Sequence, residues 1–352
     1  MCPKLKTGGN KLKEKLLNLG LNEEIYNEYR NDSEGHIGRV IAEYKGLYKI
    51  ATEEDDILAK VSGKYIKGVV DTKDFPAVGD WVLVDRKSNK NGDGIISKVF
   101  PRKSVVSRKV AGKRLDTQII ASNIDYLFIC MSANNDFNLR RLERYITIGW
   151  DSGAIPVIII TKIDLCENLA NIKNEIESIS YGIDILYVSA LENEGIEKID
   201  KYLFKGKTIG FIGSSGVGKS TLINLLLGEN IQSVNNVREN DQRGRHTTTH
   251  RELFVIKEKG VIIDTPGMRE IQLLDNINGI NDSFSEIIAL SKKCKFNDCK
   301  HNTEPGCAVR EAIDSGNLTI DRLNSYNKLI REALYLEKKN SIKEKKVKRK
   351  QV

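Results

Sequence analysis

Residues 213–220 constrain the fold of this chain more than any other part of its sequence. They read Gly-Ser-Ser-Gly-Val-Gly-Lys-Ser and match the pattern G-x-x-x-x-G-K-[ST] in full. The apolar run Thr208–Ile212 precedes them and the helical pattern Lys219–Leu227 follows, so the motif lies between a strand and a helix. Glycines let the backbone N–H groups of such a loop surround phosphate, and the helix N-terminus adds positive charge. The motif predicts a nucleoside triphosphate site on an α/β fold.

The residues of this loop and of a second motif downstream have separate predicted roles. We expect Lys219 to reach the β- and γ-phosphates in catalysis and the Ser220 hydroxyl to bind Mg²⁺. Asp264-Thr-Pro-Gly267 ends the run Val261–Ile263, which puts Asp264 in the magnesium shell and the Gly267 N–H near the γ-phosphate. A glycine-rich loop without a ligand is the competing interpretation. The predicted phosphate-binding residues are Gly213, Ser214, Ser215, Gly216, Val217, Gly218, Lys219, Ser220, Thr221, Asp264 and Gly267.

Two other strand ends carry residues that distinguish guanine from adenine. Thr161-Lys-Ile-Asp164 follows the apolar run Ile155–Ile160, and a carboxylate there can accept hydrogen bonds from guanine N1–H and N2–H₂. Adenine offers no such pair, although an ATP-using enzyme stays an alternative. Thr161 stands where GTPases more often have asparagine, so we expect a weaker brace between the base site and the phosphate loop. The predicted base-binding residues are Thr161, Lys162, Ile163, Asp164, Ser189 and Ala190.

The order of these motifs along the chain is unusual. The base-reading motifs precede the phosphate loop, whereas in most GTPases they follow it. Apolar runs alternate with helical patterns from Tyr126 to Ile263, which indicates a doubly wound parallel sheet. A circularly permuted connectivity reconciles the motif order with one sheet, because domain termini often lie close together.

The first hundred residues have a different pattern. Residues 11–30 have helical spacing, and five short β-rich segments follow: Gly38–Ile50, Ile57–Lys64, Lys67–Asp71, Asp80–Asp85 and Gly94–Phe100. They predict a small barrel, a fold that commonly binds oligonucleotides, with an unspecific β-domain as the alternative.

Positive charge is clustered rather than spread evenly. The net charge is +8, and the run Lys338–Lys350 has eight basic residues against one acid, Glu344. A second basic run covers Arg102–Arg114. Both indicate a polyanionic partner such as nucleic acid, although a solvated tail explains the first equally well. No apolar run reaches the length of a membrane span, so we expect no membrane insertion.

A cluster of metal-binding residue types lies near the C-terminus. Cys294, Cys299, His301 and Cys307 offer three thiolates and one imidazole within a short segment. Because Cys₃His is a closed tetrahedral set with no open position for a catalytic water, it predicts one structural Zn²⁺. Chance clustering of free thiols is the alternative.

Together these features resemble the ribosome small-subunit-dependent GTPase A family (RsgA, also called YjeQ). The supporting motifs are TKID, GSSGVGKS, Gly244-Arg-His-Thr-Thr-Thr249, DTPG and the Cys/His cluster, and the resemblance spans nearly the whole chain. It gives a multi-domain fold class: an oligonucleotide-binding (OB)-like β-barrel, a circularly permuted α/β P-loop GTPase domain and a C-terminal α-helical zinc-binding domain. The expected divisions are a helical segment 1–35, the barrel 36–113, the GTPase domain 114–281 and the zinc-binding domain with its basic tail 282–352.

The resemblance also implies a function. It implies a cytoplasmic, monomeric GTPase that binds ribosomal RNA and assists late maturation of the small (30S) ribosomal subunit, which stimulates hydrolysis of GTP to GDP. The alternative is a nucleotide-gated RNA-binding module in which hydrolysis is incidental.

Catalytic residues are the least defined part of the site. A loop threonine between the two phosphate motifs can bind Mg²⁺ only when the γ-phosphate is present, and Thr247, Thr248 and Thr249 are candidates, with Thr248 preferred. Met268 occupies the position where many GTPases have a water-orienting glutamine, and its thioether cannot orient water. The resemblance makes His246 the candidate substitute.

Overall fold

The computed structural model describes residues 12–31, 34–69, 72–90, 92–109, 117–228, 251–256, 259–264 and 278–348. These residues fall into two compact units. One unit lies within Met1–Phe137, Gly153–Glu167 and Asp184–Ile271, and the other within Asn138–Ser152, Asn168–Ile183 and Gln272–Val352. None of the helices in these ranges is long and apolar enough to cross a membrane.

The first unit begins with two short helices rather than the single helix that the spacing predicts. Helices α1 and α2 are separated by Gly20, which has a φ of +90° and so ends α1 in the left-handed conformation. The Asn22 side chain caps α2 by accepting from the N–H of Ile25 at 2.9 Å. The two helices are α1 (Leu12–Asn18) and α2 (Glu23–Asn31).

A closed five-stranded barrel follows, as predicted. Its strand order is β1-β2-β3-β5-β4, and pairing of β1 with β4 closes it. Val40, Ile50, Ile57 and Ile96 are fully buried at its centre. The strands are β1 (His36–Tyr44), β2 (Leu47–Thr52), β3 (Asp56–Val61), β4 (Trp81–Val84) and β5 (Gly94–Val99).

Two of the predicted barrel segments were wrong. Gly38–Ile50 is not one strand, because the chain turns at Gly46, which has a φ of +74°. Within Lys67–Asp71 the described residues, 67–69, do not form a strand, because Lys67 and Gly68 end helix α3 (Gly63–Gly68) and Val69 caps it. The hydroxyl of Ser62 accepts from the N–H of Tyr65 at 3.0 Å and caps that helix.

The second part of this unit is the mainly parallel sheet that the alternating pattern predicts. Its strand order is β10-β9-β8-β11-β13-β12, in which only β12 is antiparallel, and a single β-ladder pair joins β12 to β1 of the barrel. Strand β11, which leads into the phosphate loop, follows β8–β10 in the chain but lies between β8 and β13 in space. The strands are β8 (Tyr126–Ser132), β9 (Ile155–Thr161), β10 (Asp184–Tyr187), β11 (Thr208–Ile212), β12 (Glu252–Val255) and β13 (Val261–Asp264). A separate pair, β6 (Val105–Lys109) and β7 (Thr117–Ser122), forms an antiparallel two-stranded sheet.

An aromatic cluster anchors this sheet. Phe128 of β8 and Phe211 of β11 pack edge to face with ring centroids 5.2 Å apart, and Tyr202 packs on Phe128 at 5.5 Å. Helix α6 (Lys219–Leu227) buries Leu222 and Ile223 in the same core. One of the helical patterns between Tyr126 and Ile263 covers Gly195–Phe204, and it forms only a short 3₁₀ turn, Ile196–Ile199.

The second unit is helical. It contains α4 (Leu139–Asp151), α5 (Leu169–Glu177), α7 (Asn278–Ser283), α8 (Ser285–Ser291), α9 (Ala308–Asp314) and α10 (Ile320–Lys348). The buried Arg322 of α10 donates to Glu143 of α4 at 2.9 Å and to Glu286 of α8 at 2.8 Å. Its guanidinium also stacks on Phe284, 3.9 Å from the ring centroid. This ion network fixes the start of α10 on α4 and α8.

Candidate nucleotide and metal sites

The phosphate loop has the backbone that its glycines predict. Gly213, Gly216 and Gly218 have φ values of +145°, +80° and +96°, which L-residues with side chains rarely adopt. A Cβ on Gly213 would lie 2.4 Å from the carbonyl oxygen of Cys130 beneath the loop. Burial raises the pKa of the Cys130 thiol to about 12 against an opposing effect of Lys219, so the group under the loop is neutral.

Lys219 and Ser220 occupy the first turn of α6, directly after the loop. The Lys219 ammonium donates to the carbonyl oxygens of Gly213 and Ser214 at 2.6 Å each, so it folds back over the loop. Ser220 and Thr221 are exposed at the helix N-terminus, where an anion is favoured. The loop therefore lies between a strand and a helix, as its motif predicts, and the roles of Lys219 and Ser220 toward phosphate and Mg²⁺ stay predictions.

Asp264 is brought to the same edge of the sheet. Strand β13 pairs in parallel with β11, with Gly210 opposite Ile263, so Asp264 leaves its strand beside the start of the phosphate loop. The remaining predictions in this region concern Gly267, His246 and Thr247–Thr249, including the preferred Thr248, together with Met268. All of these lie outside the described residues.

Thr161 connects the base-reading motif to the phosphate loop. Its hydroxyl donates to the carbonyl oxygen of Val217 in the loop, and the Met131 carbonyl lies 3.3 Å from the same hydroxyl. The neighbouring Lys162, in the left-handed conformation at φ +56°, donates its ammonium to the Gly216 carbonyl at 2.7 Å. We expected a weaker brace from threonine than from asparagine; threonine forms the brace through its hydroxyl, and Lys162 adds a second bond.

Asp164 and Ala190 lie at the ends of the paired strands β9 and β10. Asp164 is exposed on the 3₁₀ turn Ile163–Leu165, where no described residue bonds its carboxylate. Ser189 is buried and exchanges two backbone hydrogen bonds of 3.0 Å with Glu194, which fixes the turn that carries Ala190. Within the described residues the Ala190 N–H has no acceptor. A carboxylate acceptor and an N–H donor are therefore both available to a base.

A third strand end also reaches the phosphate loop, and the sequence reasoning missed it. In the turn after β8, the Asp136 carboxylate lies 3.5 Å from the Ser214 hydroxyl. The Asn134 side chain shapes this turn by accepting from the Asp136 N–H at 3.1 Å. The position of Asp136 in the sequence could have indicated it, because polar residues after an apolar strand were also the signal for Thr161–Asp164.

A buried arginine from the barrel supports the strand that enters the phosphate loop. Arg39 of β1 is 1% exposed, and its guanidinium donates to the hydroxyl of Thr208, the first residue of β11, at 2.9 Å. The same side chain donates to the carbonyl oxygens of Leu19, Gly79 and Asn123. Burial lowers the pKa of Arg39 to about 10, so the group stays charged near neutral pH.

The four predicted zinc ligands converge in the helical unit. Their donor atoms, Sγ of Cys294, Cys299 and Cys307 and Nδ1 of His301, all lie within 4.8 Å of one another. The Cys294 and Cys307 sulfurs are 3.9 Å apart, and His301 Nδ1 lies 3.7 and 3.4 Å from them. Two sulfurs bound tetrahedrally to Zn²⁺ at about 2.3 Å would be roughly 3.8 Å apart. The donor set and its spacing thus fit Zn²⁺ and exclude a Cys294–Cys307 disulfide.

A hydrogen bond between Ser291 and His301 orients the imidazole for metal binding. The Ser291 hydroxyl lies 3.0 Å from His301 Nε2 and donates to the Ile287 carbonyl at 2.7 Å, so its oxygen can accept a hydrogen bond from Nε2–H and leave Nδ1 free for a metal. Burial lowers the pKa of His301, which favours the neutral imidazole that binds metals.

Known proteins with similar sequences and structures were compared with the chain. A family model described as RsgA GTPase matches residues 99–274. The small ribosomal subunit biogenesis GTPase RsgA 2 of Lactiplantibacillus plantarum is 45% identical over 320 residues, 91% of this chain and 90% of that protein. RsgA 1 of Oceanobacillus iheyensis is 47% identical over 308 residues, 87% and 88% of the two chains. YjeQ from Thermotoga maritima has a TM-score of 0.64 at 26% identity, covering 85% of this chain and 98% of its own. YloQ, described as a circularly permuted GTPase, has a TM-score of 0.60 at 25% identity, covering 86% and 96%.

Proposed function

This chain belongs to the RsgA GTPase family, and we propose that it hydrolyses GTP to GDP during late maturation of the small ribosomal subunit, with stimulation by that subunit. The family resemblance that the motif order indicates is thereby confirmed. The observation that supports the proposed function is the position of the predicted site residues on one edge of the sheet. The base-reading ends of β9 and β10, the phosphate loop after β11 and Asp264 of β13 lie at the carboxyl edge of one parallel sheet.

Guanine is the base that the strand ends fit. The Asp164 carboxylate can accept from N1–H and N2–H₂, and the Ala190 N–H can donate to O6, which is the reverse of the pattern on adenine. Lys162 reaches across to the Gly216 carbonyl, so its aliphatic stem is positioned to cover one face of the base. Because Thr161 joins this region to Val217, binding of the base and of the phosphates would be mechanically linked.

The phosphates would be held by the loop N–H groups, Lys219 and the N-terminus of α6. Lys219, which bonds the carbonyls of Gly213 and Ser214, has only to swing its flexible stem to reach the β- and γ-phosphates. Ser220, Asp264 and Thr248 are the proposed ligands and orienting groups for Mg²⁺, and Thr248 lies outside the described residues. Bound Mg²⁺ would neutralise charge that develops on the β- and γ-oxygens.

The orientation of the attacking water is the step for which this chain departs from many GTPases. Met268 has no hydrogen-bonding group for it, so intrinsic turnover should be slow until a partner completes the site. We propose His246 as the residue that orients water in the subunit-bound state. Unchanged subunit-stimulated turnover in His246→Ala would remove it from the mechanism.

The barrel and the basic C-terminal helix are the proposed contacts with ribosomal RNA. Helix α10 runs to Lys348 within the basic run Lys338–Lys350 and is anchored at its start by Arg322. Several phosphate contacts would make affinity for the subunit fall steeply with added salt. A salt-independent affinity would contradict this electrostatic account.

The remaining proposals concern the zinc site, the domains and the location. We propose one structural Zn²⁺ on the Cys₃His cluster and domain limits at 1–35, 36–113, 114–281 and 282–352. We propose that the protein acts as a monomer and that it acts in the cytoplasm, the location that a role in small-subunit biogenesis like that of its relatives implies.

The decisive experiment measures GTP hydrolysis by the full chain with and without purified small ribosomal subunits. Stimulation of many-fold, absent with large subunits and absent in Lys219→Ala, supports the proposal. GTP-dependent subunit binding without stimulation would instead favour the nucleotide-gated RNA-binding module. Preferential hydrolysis of ATP in a competition assay would contradict the assignment of guanine.

A further inference from the structure

The barrel and the GTPase sheet meet at a single ladder position within the part of the chain that the structure describes. Ala42 of β1 pairs with Glu252, the first residue of β12. Glu252 is in turn opposite Asp264 at the end of β13. One row of three paired residues therefore runs from the barrel, across β12, to the carboxylate proposed to orient Mg²⁺.

Arg251 reinforces this junction from the position directly before β12. It is 8% exposed, and its Nη1 donates to the Glu43 carboxylate of β1 at 3.2 Å and to the Ile119 carbonyl of β7 at 3.0 Å. One guanidinium thus joins three segments: the start of β12, the barrel, and the β6–β7 sheet. Because a single ladder pair gives little resistance to rotation, this side chain fixes the angle at which β12 meets the barrel.

Partial burial of both charged groups makes the ion pair between Arg251 and Glu43 hard to replace. Burial raises the pKa of Glu43, and Arg251 opposes that effect, while burial lowers the pKa of Arg251. Both groups are thus partly desolvated and depend on each other for compensation. Removing either charge leaves its partner poorly solvated, so the junction is expected to loosen rather than adopt another fixed arrangement.

We propose that Arg251 is a positioning residue that transmits the barrel's engagement with the ribosomal subunit to the magnesium side of the nucleotide site. It does so by holding β12 in register between Ala42 of the barrel and Asp264. This inference rests on the proposed function, since it concerns the stimulation of hydrolysis by the subunit. Arg251 acts through Glu252 and Asp264 and does not touch the nucleotide.

The test compares five full-length variants with the wild type. Arg251→Met removes the charge and keeps an unbranched stem, Arg251→Lys keeps the charge without the forked geometry, and Glu43→Gln keeps an acceptor. The double variant Glu43→Gln/Arg251→Met completes a thermodynamic cycle. Lys259→Met is the matched control, because Lys259 stands between β12 and β13 in the chain and forms only an exposed ion pair, with Asp200. For each protein we would measure affinity for a fluorescent GTP analogue, intrinsic turnover, subunit affinity, subunit-stimulated kcat and thermal stability.

The expected result is a selective loss. Arg251→Met and Glu43→Gln should keep nucleotide affinity, subunit affinity and intrinsic turnover near wild type while stimulated kcat falls about tenfold, a typical size for coupling between sites. The double variant should lose no more than the worse single variant, and Arg251→Lys should retain part of the stimulation. Lys259→Met should behave as the wild type.

Three outcomes would overturn the inference. Full stimulation of Arg251→Met and Glu43→Gln would show that the pair is not needed for transmission. A parallel loss of nucleotide affinity, intrinsic turnover and thermal stability in both variants would show that the pair only stabilises the fold. A wild type that the subunit does not stimulate would refute the proposed function, and this inference with it, whereas the first two outcomes leave the proposed function intact.

Discussion

The hydroxyl of Thr161 gives a prediction whose size can be worked from the structure. The side chain is 4% exposed and donates to the Val217 carbonyl of the phosphate loop. Thr161→Val keeps the shape and removes the donor. Losing a neutral hydrogen bond and leaving a buried acceptor unpaired costs about 1–2 kcal/mol in total. If the loop loses that support, the Kd for GDP and GTP should rise roughly 5- to 30-fold.

Because Lys162 also supports the phosphate loop, the upper end of the expected rise in Kd is the largest effect that Thr161→Val should have. Its bond to the Gly216 carbonyl supports the residue next to Val217 and is untouched by the substitution. Nucleotide affinity should be measured with a fluorescent GDP analogue, together with the thermal midpoint. Thr161→Ser is the matched control because it keeps the hydroxyl and removes only the methyl group. Wild-type affinity in Thr161→Val combined with weakened binding in Thr161→Ser would refute the brace and assign the effect to packing.

Three further substitutions test other parts of the site. Gly213→Ala should abolish measurable GTP binding, because its Cβ would lie 2.4 Å from the Cys130 carbonyl oxygen. Gly216→Ala is the control: a Cβ there meets no atom within 4 Å, so GTP binding should weaken much less. Equal losses of GTP affinity in a binding titration would contradict this steric account. Asp164→Asn should weaken GTP binding roughly 10- to 150-fold, because asparagine keeps one acceptor oxygen and loses one charged hydrogen bond of about 1.5–3 kcal/mol. The thermal midpoint should not change because the carboxylate is exposed, and GTP affinity within threefold of wild type would exclude a direct contact with guanine. Cys299→Ser should lower bound zinc from about one ion per chain to near zero and make the helical unit sensitive to protease. A wild-type protein that contains no zinc would contradict the metal assignment.

The parts of the structure that the sequence predicted well are those with local causes. The phosphate loop needs glycines at fixed spacing, and Gly213, Gly216 and Gly218 are all in positive-φ conformations. The zinc ligands lie within one short segment, so their convergence requires little of the rest of the fold. The central strands are buried on both sides and therefore appear as continuous apolar runs.

The errors have physical reasons of the same kind. Barrel strands are short and joined by tight turns, so the hairpin turn at Gly46 was hidden inside one β-rich segment. Helix α3 was missed because its signal is the cap at Ser62 rather than an apolar stripe. The bonds of Thr161, Arg39 and Arg251 join residues far apart in the chain, and no local pattern indicates such partners.

The bonds of Arg39 and Glu43 start from the same barrel strand, β1. Through them the barrel contacts both the strand that enters the phosphate loop and the segment that leads into β12. Arg39 bonds Thr208 at the start of the strand that enters the phosphate loop. Glu43, on the same barrel strand, binds Arg251 beside the register partner of Asp264. Two charged contacts from one strand therefore connect the barrel to the strand that enters the phosphate loop and to the neighbour of the proposed magnesium-orienting carboxylate. A load on the barrel would act on both at once, which is the arrangement expected if the subunit stimulates hydrolysis through the barrel, as proposed.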